Sequence, residues 1–418
     1  DEDDYLTTDF VLEEDMDVGF RGNDSSDHCG SNVGGLGDYD GDGVNDFFIA
    51  CMGDDDGGTS GGTIYVVPGG RISSGDGTYW VRDIPGHHKI YNGAGTGMGH
   101  HNRPHVVGPG DVDLDGMADL VVSVESINTT YIVSGYNMAI TRSSTRIDTQ
   151  FDHRFTGAGQ RGVGSVGDID SDGSPDLGFA DNSGNFWVLQ TGDLNPFGED
   201  RAISASYAYK LNMRDISGAD NHIDSFSTGD VDGDGITDFL LSMHTVDDFR
   251  NNNGGVALFL GKNYEDNIGW RNADFHFFGN SNDDYLGHIG RSISIGGDVT
   301  GDGRDDILMT AGWDDTGGGN SGTVYYFDAT ILDEEIYLHC LAPERRLYGE
   351  RSGEEALRTL VFAGDIDGDD KGEILTGAHK AQVDGVETGR VYLAKGSAAT
   401  ASNRNLWEAG TGWQFNGE

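Results

Sequence analysis

Basic residues are scarce in this chain: 26 Lys and Arg stand against 72 Asp and Glu, a formal charge of −46 over 418 residues. That excludes nucleic acid as the main partner, because phosphate binding needs a basic face that releases counterions. No run of 18 or more apolar residues is present to cross a bilayer as a helix, and an acidic surface repels anionic headgroups. Proline is limited to 7 residues while glycine reaches 68, more than twice the usual share of about 7%. Neither a collagen-like nor a proline-rich disordered chain fits. Three cysteines do not make a disulfide framework. Cys29 and Cys51 can pair and leave Cys340 over, or all three can be buried thiols. The opening Asp1-Glu2-Asp3-Asp4 is the opposite of a signal peptide's basic start, so the expectation is a chain that is mature or never exported. What remains is abundant turn-forming sequence. An apolar content of 36% builds a core of useful size only when concentrated in short, regularly spaced strands.

The spacing is regular because one string recurs six times: GDYDGDGVND from Gly37, GDVDLDGMAD from Gly110, GDIDSDGSPD from Gly167, GDVDGDGITD from Gly229, GDVTGDGRDD from Gly297 and GDIDGDDKGE from Gly364. The leading acids lie 73, 57, 62, 68 and 67 residues apart, a period of the size of one small sheet. After each string comes a short β-prone run, such as Phe47-Phe48-Ile49 or Leu120-Val121-Val122, and a second run follows across a polar turn, such as Thr63-Ile64-Tyr65-Val66-Val67. Length and β-branched and aromatic content make these strands. A further segment couples an aromatic or large apolar residue to glycine: Phe20-Arg21-Gly22, Tyr91-Asn92-Gly93, Phe155-Thr156-Gly157, Phe277-Phe278-Gly279, Leu347-Tyr348-Gly349 and Phe415-Asn416-Gly417, with Leu211-Asn212-Met213 the degenerate member. With the strand that leads into each string, every repeat supplies about four strands, one propeller blade.

These motifs resemble the FG-GAP repeats of the integrin α-subunit β-propeller and its bacterial relatives, over roughly residues 18 to 418. The resemblance implies an all-β propeller of four-stranded blades, calcium in the loops, and an extracellular role in binding or adhesion. Six acidic strings favour six blades; the alternative is a seven-bladed propeller cut off after Gly417. Residues 1–17 are read as an acidic segment carrying an extra strand, and 18–418 as a single propeller domain. The C-terminal segment between Trp407 and Asn416 is expected to complete the sixth blade, which leaves the N-terminal segment between Phe10 and Arg21 as a spare strand, free to pack outside or to mediate self-association.

The loop chemistry supports a hard cation independently of the resemblance. Acids at positions one, three, five and nine, with the backbone carbonyl at seven, form the six- to eight-oxygen cage that calcium prefers. In the first loop these are Asp38, Asp40, Asp42, Val44 and Asp46. The second offers Asp111, Asp113, Asp115, Met117 and Asp119; the third Asp168, Asp170, Asp172, Ser174 and Asp176; the fourth Asp230, Asp232, Asp234, Ile236 and Asp238. The fifth departs, with Thr300 between Asp298 and Asp302, then Arg304 and Asp306. The sixth has Asp365, Asp367, Asp369, Lys371 and Glu373, with Asp370 where glycine is usual, and is expected to be the weakest of up to six Ca2+ sites. An EF-hand is excluded, because its twelfth-position Glu is here Ile49, Val122 or Phe179 inside a strand.

Other motifs yield blander readings. Gly58-Thr59-Ser60-Gly61-Gly62 matches a nucleophile elbow, but a strand follows and Gly319-Asn320-Ser321-Gly322 repeats it, so it reads as a turn. The glycine pattern from Gly157 to Gly162 precedes a strand, not the helix a dinucleotide site requires. His87, His88, His100, His101 and His105 read as surface histidines, and Trp80, Trp187, Trp270, Trp313, Trp407 and Trp413 chiefly as packing between blades. The expected function is therefore a non-enzymatic, secreted or cell-surface propeller that binds an unknown protein or glycan. The alternatives are a structural subunit of a surface layer or filament, and a polysaccharide-active enzyme, which would need an inserted loop such as Arg71 to Lys89 to bear a catalytic base. Six divalent ions would bring −46 only to −34, so most of the acidity belongs to the surface.

Overall fold

The computed structural model describes residues 10–416 apart from 12–17, 60, 74–76, 94–97, 99–104, 142, 193, 195–198, 214–221, 248–250, 262–267, 289–290, 329–345, 350–351, 354–358, 384–385, 388, 397–403 and 406–411. The fold is all-β, a six-bladed β-propeller of small, mainly antiparallel sheets. Each acidic string is the turn between the first and second strands of a blade. In the first blade the strands are Cys29–Gly37, Asp46–Cys51, Thr63–Val67 and His88–Tyr91, and in the second Val106–Gly110, Asp119–Val124, Thr129–Val133 and His153–Thr156. The third has Gly162–Gly167, Asp176–Ala180, Asn185–Leu189 and Tyr209–Asn212. The fourth runs Ser225–Gly229, Asp238–Met243, Gly255–Phe259 and Phe275–Phe278; the fifth Ile293–Ile295, Ile307–Ala311, Thr323–Phe327 and Arg346–Tyr348; the sixth Thr359–Gly364, Glu373–Ala378, Arg390–Ala394 and Gly412–Asn416. Blades one to three lie in one compact unit, Asp17–Leu211 with Glu265–Asn267, and blades four to six in a second, Asp1–Met16, Asn212–Tyr264 and Ile268–Glu418.

The second and third strands are the core. Asp119–Val124 and Thr129–Val133 are buried at every position, which is why their apolar residues come consecutively, as Leu120-Val121-Val122 and Tyr131-Ile132-Val133: a strand covered on both faces has no solvent face to alternate with. In the first unit Leu36, Phe48 and Ala50 of blade one pack with Leu120, Val122 and Tyr131 of blade two. In the second unit Leu240, Val256 and Phe277 of blade four pack with Ile293, Ile307 and Met309 of blade five. The glycine that opens most strings has a structural cause. Pairing shifts by a residue just before the loop in blades one, two, three and six, and Gly37, Gly110, Gly167 and Gly364 take φ of 90°, 107°, 77° and 76° there. A bulge of this kind places one residue in the left-handed region, where only glycine is unstrained.

The outer strands are capped by short parallel strands from elsewhere in the chain. Ser144–Arg146, which lies between the third and fourth strands of blade two, pairs with His88–Tyr91 of blade one. Glu199–Ala202 of blade three likewise pairs with blade two, and Arg404–Asn405 of blade six with blade five. Gly412–Asn416 completes the sixth blade, and Phe10–Val11 lies parallel beyond it. The remaining aromatic-glycine segment, Val18–Arg21, pairs in parallel with Gly77–Trp80 in the long first-blade insertion, where Phe20 stacks 6.1 Å from Tyr79. Among the described residues the N-terminal segment thus carries two short strands, not one.

Candidate metal centre

Each loop wraps its backbone around its own first carboxylate. Asp38 Oδ1 accepts from the amides of Gly41 at 2.7 Å and Asp42 at 3.1 Å, and Oδ2 accepts from Gly43 at 2.9 Å. Asp42 Oδ1 accepts from Val44 at 2.9 Å. The same bonds recur at Asp111, Asp168 and Asp230, whose Oδ2 atoms accept from Gly116, Gly173 and Gly235 at 2.8, 2.9 and 2.9 Å. To close so tightly the chain enters the left-handed region twice, at positions four and six: Gly41 and Gly43 at φ 75° and 85°, Gly233 and Gly235 at 74° and 82°. As a result, carboxylate oxygens of the first, third and fifth acids lie within 4.8 Å of one another in the first, second and fourth loops, and those of Asp168, Asp170 and Asp176 in the third.

The ninth-position acid is placed differently from the others. Asp46, Asp119, Asp176, Asp238 and Asp306 are buried, as is Glu373, and their oxygens hold backbone amides. Asp119 Oδ2 accepts from Val112 at 2.7 Å and Oδ1 from Gly135 at 2.8 Å, just past the third strand. Asp46 does the same with Tyr39 and Gly69, Asp176 with Ile169 and Thr191, and Asp238 with Val231 and Gly261. This acid clips its loop to the exit of the third strand. Burial, helped by the charge of Asp113, pushes the Asp119 carboxyl up to about 8. Burial is also the chief cause at Asp46, Asp176 and Asp238, each pushed up to about 6. Asp113 rises to about 6 through burial and its neighbour Asp115. Burial first, and the neighbouring carboxylates second, make the cation-free loop hold protons it would otherwise release.

Neighbouring loops within a unit are tied together. The Ala118 amide donates to the Asp38 carbonyl at 3.0 Å, Asp305 to Asp230 at 3.4 Å, and Gly372 to Asp298 at 2.6 Å. Pro175 occupies the same position in the third loop and has no N–H; there the Ser174 hydroxyl donates instead, to the Val112 carbonyl at 2.9 Å.

The two departing loops keep the shape. The Thr300 hydroxyl donates to Asp298 Oδ1 at 3.2 Å and its amide to Asp306 Oδ2 at 3.1 Å, so a neutral group fills the second acid's corner. Asp370 adopts φ 64° in place of glycine. The sixth loop also carries a cation of its own, since Lys395 Nζ lies 3.0 Å from Asp367 Oδ2. Leu114 and Ser171 show that positive φ at position four is tolerated without glycine, at 58° and 63°.

The other motifs resolve as follows. Gly61 donates to the Gly58 carbonyl at 2.9 Å and Ser321 to Gly318 at 3.0 Å, matching turns, as their repetition implied; Ser60 lies outside the described residues. Gly157–Gly162 leads into a strand. The histidine reading needs correction: His88 and His105 are buried, not surface residues, with His88 Nε2 2.9 Å from Thr145 Oγ1 and His105 Nε2 3.8 Å from Glu125; His100 and His101 lie outside the described residues. Trp187 and Trp270 are buried while Trp80 is exposed; Trp407 lies outside the described residues, as does the side chain of Trp413. Cys29 and Cys51 form a disulfide; Cys340 lies outside the described residues. One cluster has no sequence motif at all: His222, Asp224 and His244 converge in the fourth blade, and their only signal was an isolated His-Ile-Asp followed by a histidine at a strand end.

Residues 289–327, the fifth repeat, match the FG-GAP repeat family model. No curated protein matches the chain. Among solved structures, the chain is similar to the BBS1 N-terminal domain determined in complex with ARL6DN and soaked with lead, at 10% identity and a TM-score of 0.42, over 87% of this chain and 78% of that one. It is also similar to the Dos1 propeller, at 9% identity and a TM-score of 0.38, over 85% of this chain and 68% of that one.

Proposed function

We propose that this chain is a calcium-stabilised, extracellular β-propeller that serves as a non-enzymatic scaffold for binding protein or glycan, with residues 18–418 acting as one domain. The observation that carries the reading is the recurrence of one loop fold in which three carboxylates converge while residues in the left-handed region at positions four and six, mostly glycines, fold the backbone inward. The donor set is all oxygen, as a hard cation requires, and lacks the imidazole or thiolate that a softer metal selects. Asp38, Asp40, Asp42 and Asp46, with the Val44 carbonyl, hold the ion in the first loop, and the equivalent residues do so in the others. A bound ion compensates the buried charge of the ninth-position acid and fixes the loop between two strands of its blade. The Cys29–Cys51 disulfide fits an oxidising compartment, and extracellular calcium modules work at about 10⁻⁴ to 10⁻³ M, a level met outside the cell.

Calcium at 100 times its dissociation constant contributes about 2.7 kcal/mol per site, so several sites together raise the melting midpoint strongly. Melting in calcium and in chelator tests this, and an unchanged midpoint overturns the calcium reading. A glycan array probed in calcium and in chelator tests the binding role. Turnover of acidic polysaccharides by the purified chain would overturn the non-enzymatic reading.

A further inference from the structure

Outside the acidic loops, the fourth blade gathers a different donor set. Asp224 immediately precedes the strand Ser225–Gly229, and His244 immediately follows Asp238–Met243. Antiparallel pairing of these two strands, with the Asp224 amide donating to the Ser242 carbonyl at 2.9 Å, brings residues twenty apart side by side. Asp224 Oδ2 accepts from the His244 amide at 2.9 Å and lies 2.5 Å from His244 Nδ1. His222 Nε2 stands 3.3 Å from Asp224 Oδ1, an oxygen buried without a hydrogen-bond partner on a side chain only 1% exposed. The His288 ring lies edge-on to His244, centroids 4.2 Å apart, and the His222 ring is 5.7 Å from His244.

A buried carboxylate needs a compensating positive charge. The contact of Oδ2 with His244 leaves Oδ1 still to be met. A single divalent ion supplies the charge at one point and leaves every imidazole neutral. We propose that His222, Asp224 and His244 form a transition-metal site of the Zn2+ class, with His288 or water as the fourth ligand. One ligand atom from each of the three residues already lies within 4.8 Å of the others, close enough for small side-chain rotations to place all three on one ion with bonds of about 2.0–2.2 Å. Two nitrogens and one carboxylate oxygen select such an ion over calcium. The place in the blade gives the site a purpose. In the first blade the start of the first strand and the end of the second are joined by Cys29–Cys51, paired directly in register. In the fourth blade coordination joins the equivalent strand ends.

The test is Zn2+ titration of the whole chain by calorimetry at neutral pH in excess Ca2+, which keeps the oxygen loops filled, with Co2+ substitution read by its visible absorption. The expected result is one saturable equivalent, Co2+ bands diagnostic of nitrogen ligation, and loss of both in His222→Ala and in His244→Ala but not in His276→Ala, whose imidazole Nε2 sits 2.8 Å from the Trp270 carbonyl. Circular dichroism of each variant verifies folding. Absence of saturable Zn2+ uptake by the unaltered chain overturns the proposal without recourse to any variant. So does uptake that persists undiminished in folded His222→Ala and His244→Ala.

Discussion

Removing calcium should invert the usual pH dependence of a carboxylate-rich protein. Acid normally destabilises such proteins, because native carboxylates have lowered pKa values and must be protonated. Here the ninth-position acids are displaced the other way: Asp119 to about 8, and Asp46, Asp176 and Asp238 to about 6, burial being the main cause at each. Between about pH 4 and pH 8 the cation-free fold therefore binds more protons than the unfolded chain, and its stability falls as pH rises. A factor of ten in a protonation equilibrium is about 1.4 kcal/mol, so ionising Asp119 without a cation opposes folding by about 5 kcal/mol. That is comparable with the entire net stability of many domains. The assay is thermal melting of calcium-free protein from pH 5 to pH 8, where the midpoint should drop by several degrees at about 2 °C per kcal/mol, while in saturating calcium the drop disappears. The companion measurement is calorimetry of calcium binding in buffers of different ionisation enthalpy, which should show proton release near pH 7, mainly from Asp119. A calcium-free midpoint that stays flat or rises from pH 5 to pH 8, or calcium binding with no proton release, refutes the reasoning.

Three further outcomes follow from the geometry. Leu114→Gly relieves a non-glycine residue at φ 58° that is largely exposed and should stabilise by about 1 kcal/mol, the left-handed penalty less the entropy of the added glycine; chemical denaturation reads it, and a destabilised variant contradicts the strain argument. Replacing Cys29 and Cys51 together by Ala opens a loop with a sequence separation of 22 and should cost about 3 kcal/mol by chain entropy; an unchanged denaturation midpoint would mean that the bridge constrains nothing. Lys395→Met removes the ammonium 3.0 Å from Asp367 and should tighten calcium at the sixth loop without altering the other five, read by calorimetric stoichiometry and affinity; equal affinity in both proteins would show that Lys395 does not compete with the ion.

The strands were legible because six copies of one acidic string fix where each blade turns, and a strand buried on both faces carries consecutive apolar residues, as Leu120-Val121-Val122 within Asp119–Val124. The division of labour inside the string was not. An acid at position nine reads in sequence as a fourth ligand alone, and nothing there says that the oxygens of Asp119 also serve Val112 and Gly135, because the Gly135 amide is set by the exit of a strand beyond the motif. The His222, Asp224 and His244 cluster was invisible for a related reason: a hairpin joins its members, and no fixed spacing records a hairpin. His88 and His105 were misplaced on the surface because density of histidine in sequence says nothing of burial, which comes from the packing of neighbouring segments. The Cys29–Cys51 bridge was one possibility among several until strand register put the two residues opposite one another.

The parallel caps on the outer strands impose an order on synthesis. Blade one receives Ser144–Arg146 only after most of blade two has been made, blade two waits for Glu199–Ala202, and blade five waits for Arg404–Asn405. A ribosome delivers residues at about 5–20 per second, so each outer edge stays bare for some seconds while its cap is still to come, open to the wrong strand. At the sixth blade the order reverses: Phe10–Val11, made before any of the six blades, seals Gly412–Asn416, the strand that completes the last of them. The Phe10–Val11 strand must therefore remain uncommitted while all six blades are made, and a pairing of two residues in one parallel register is a weak enough claim on any partner to let it wait.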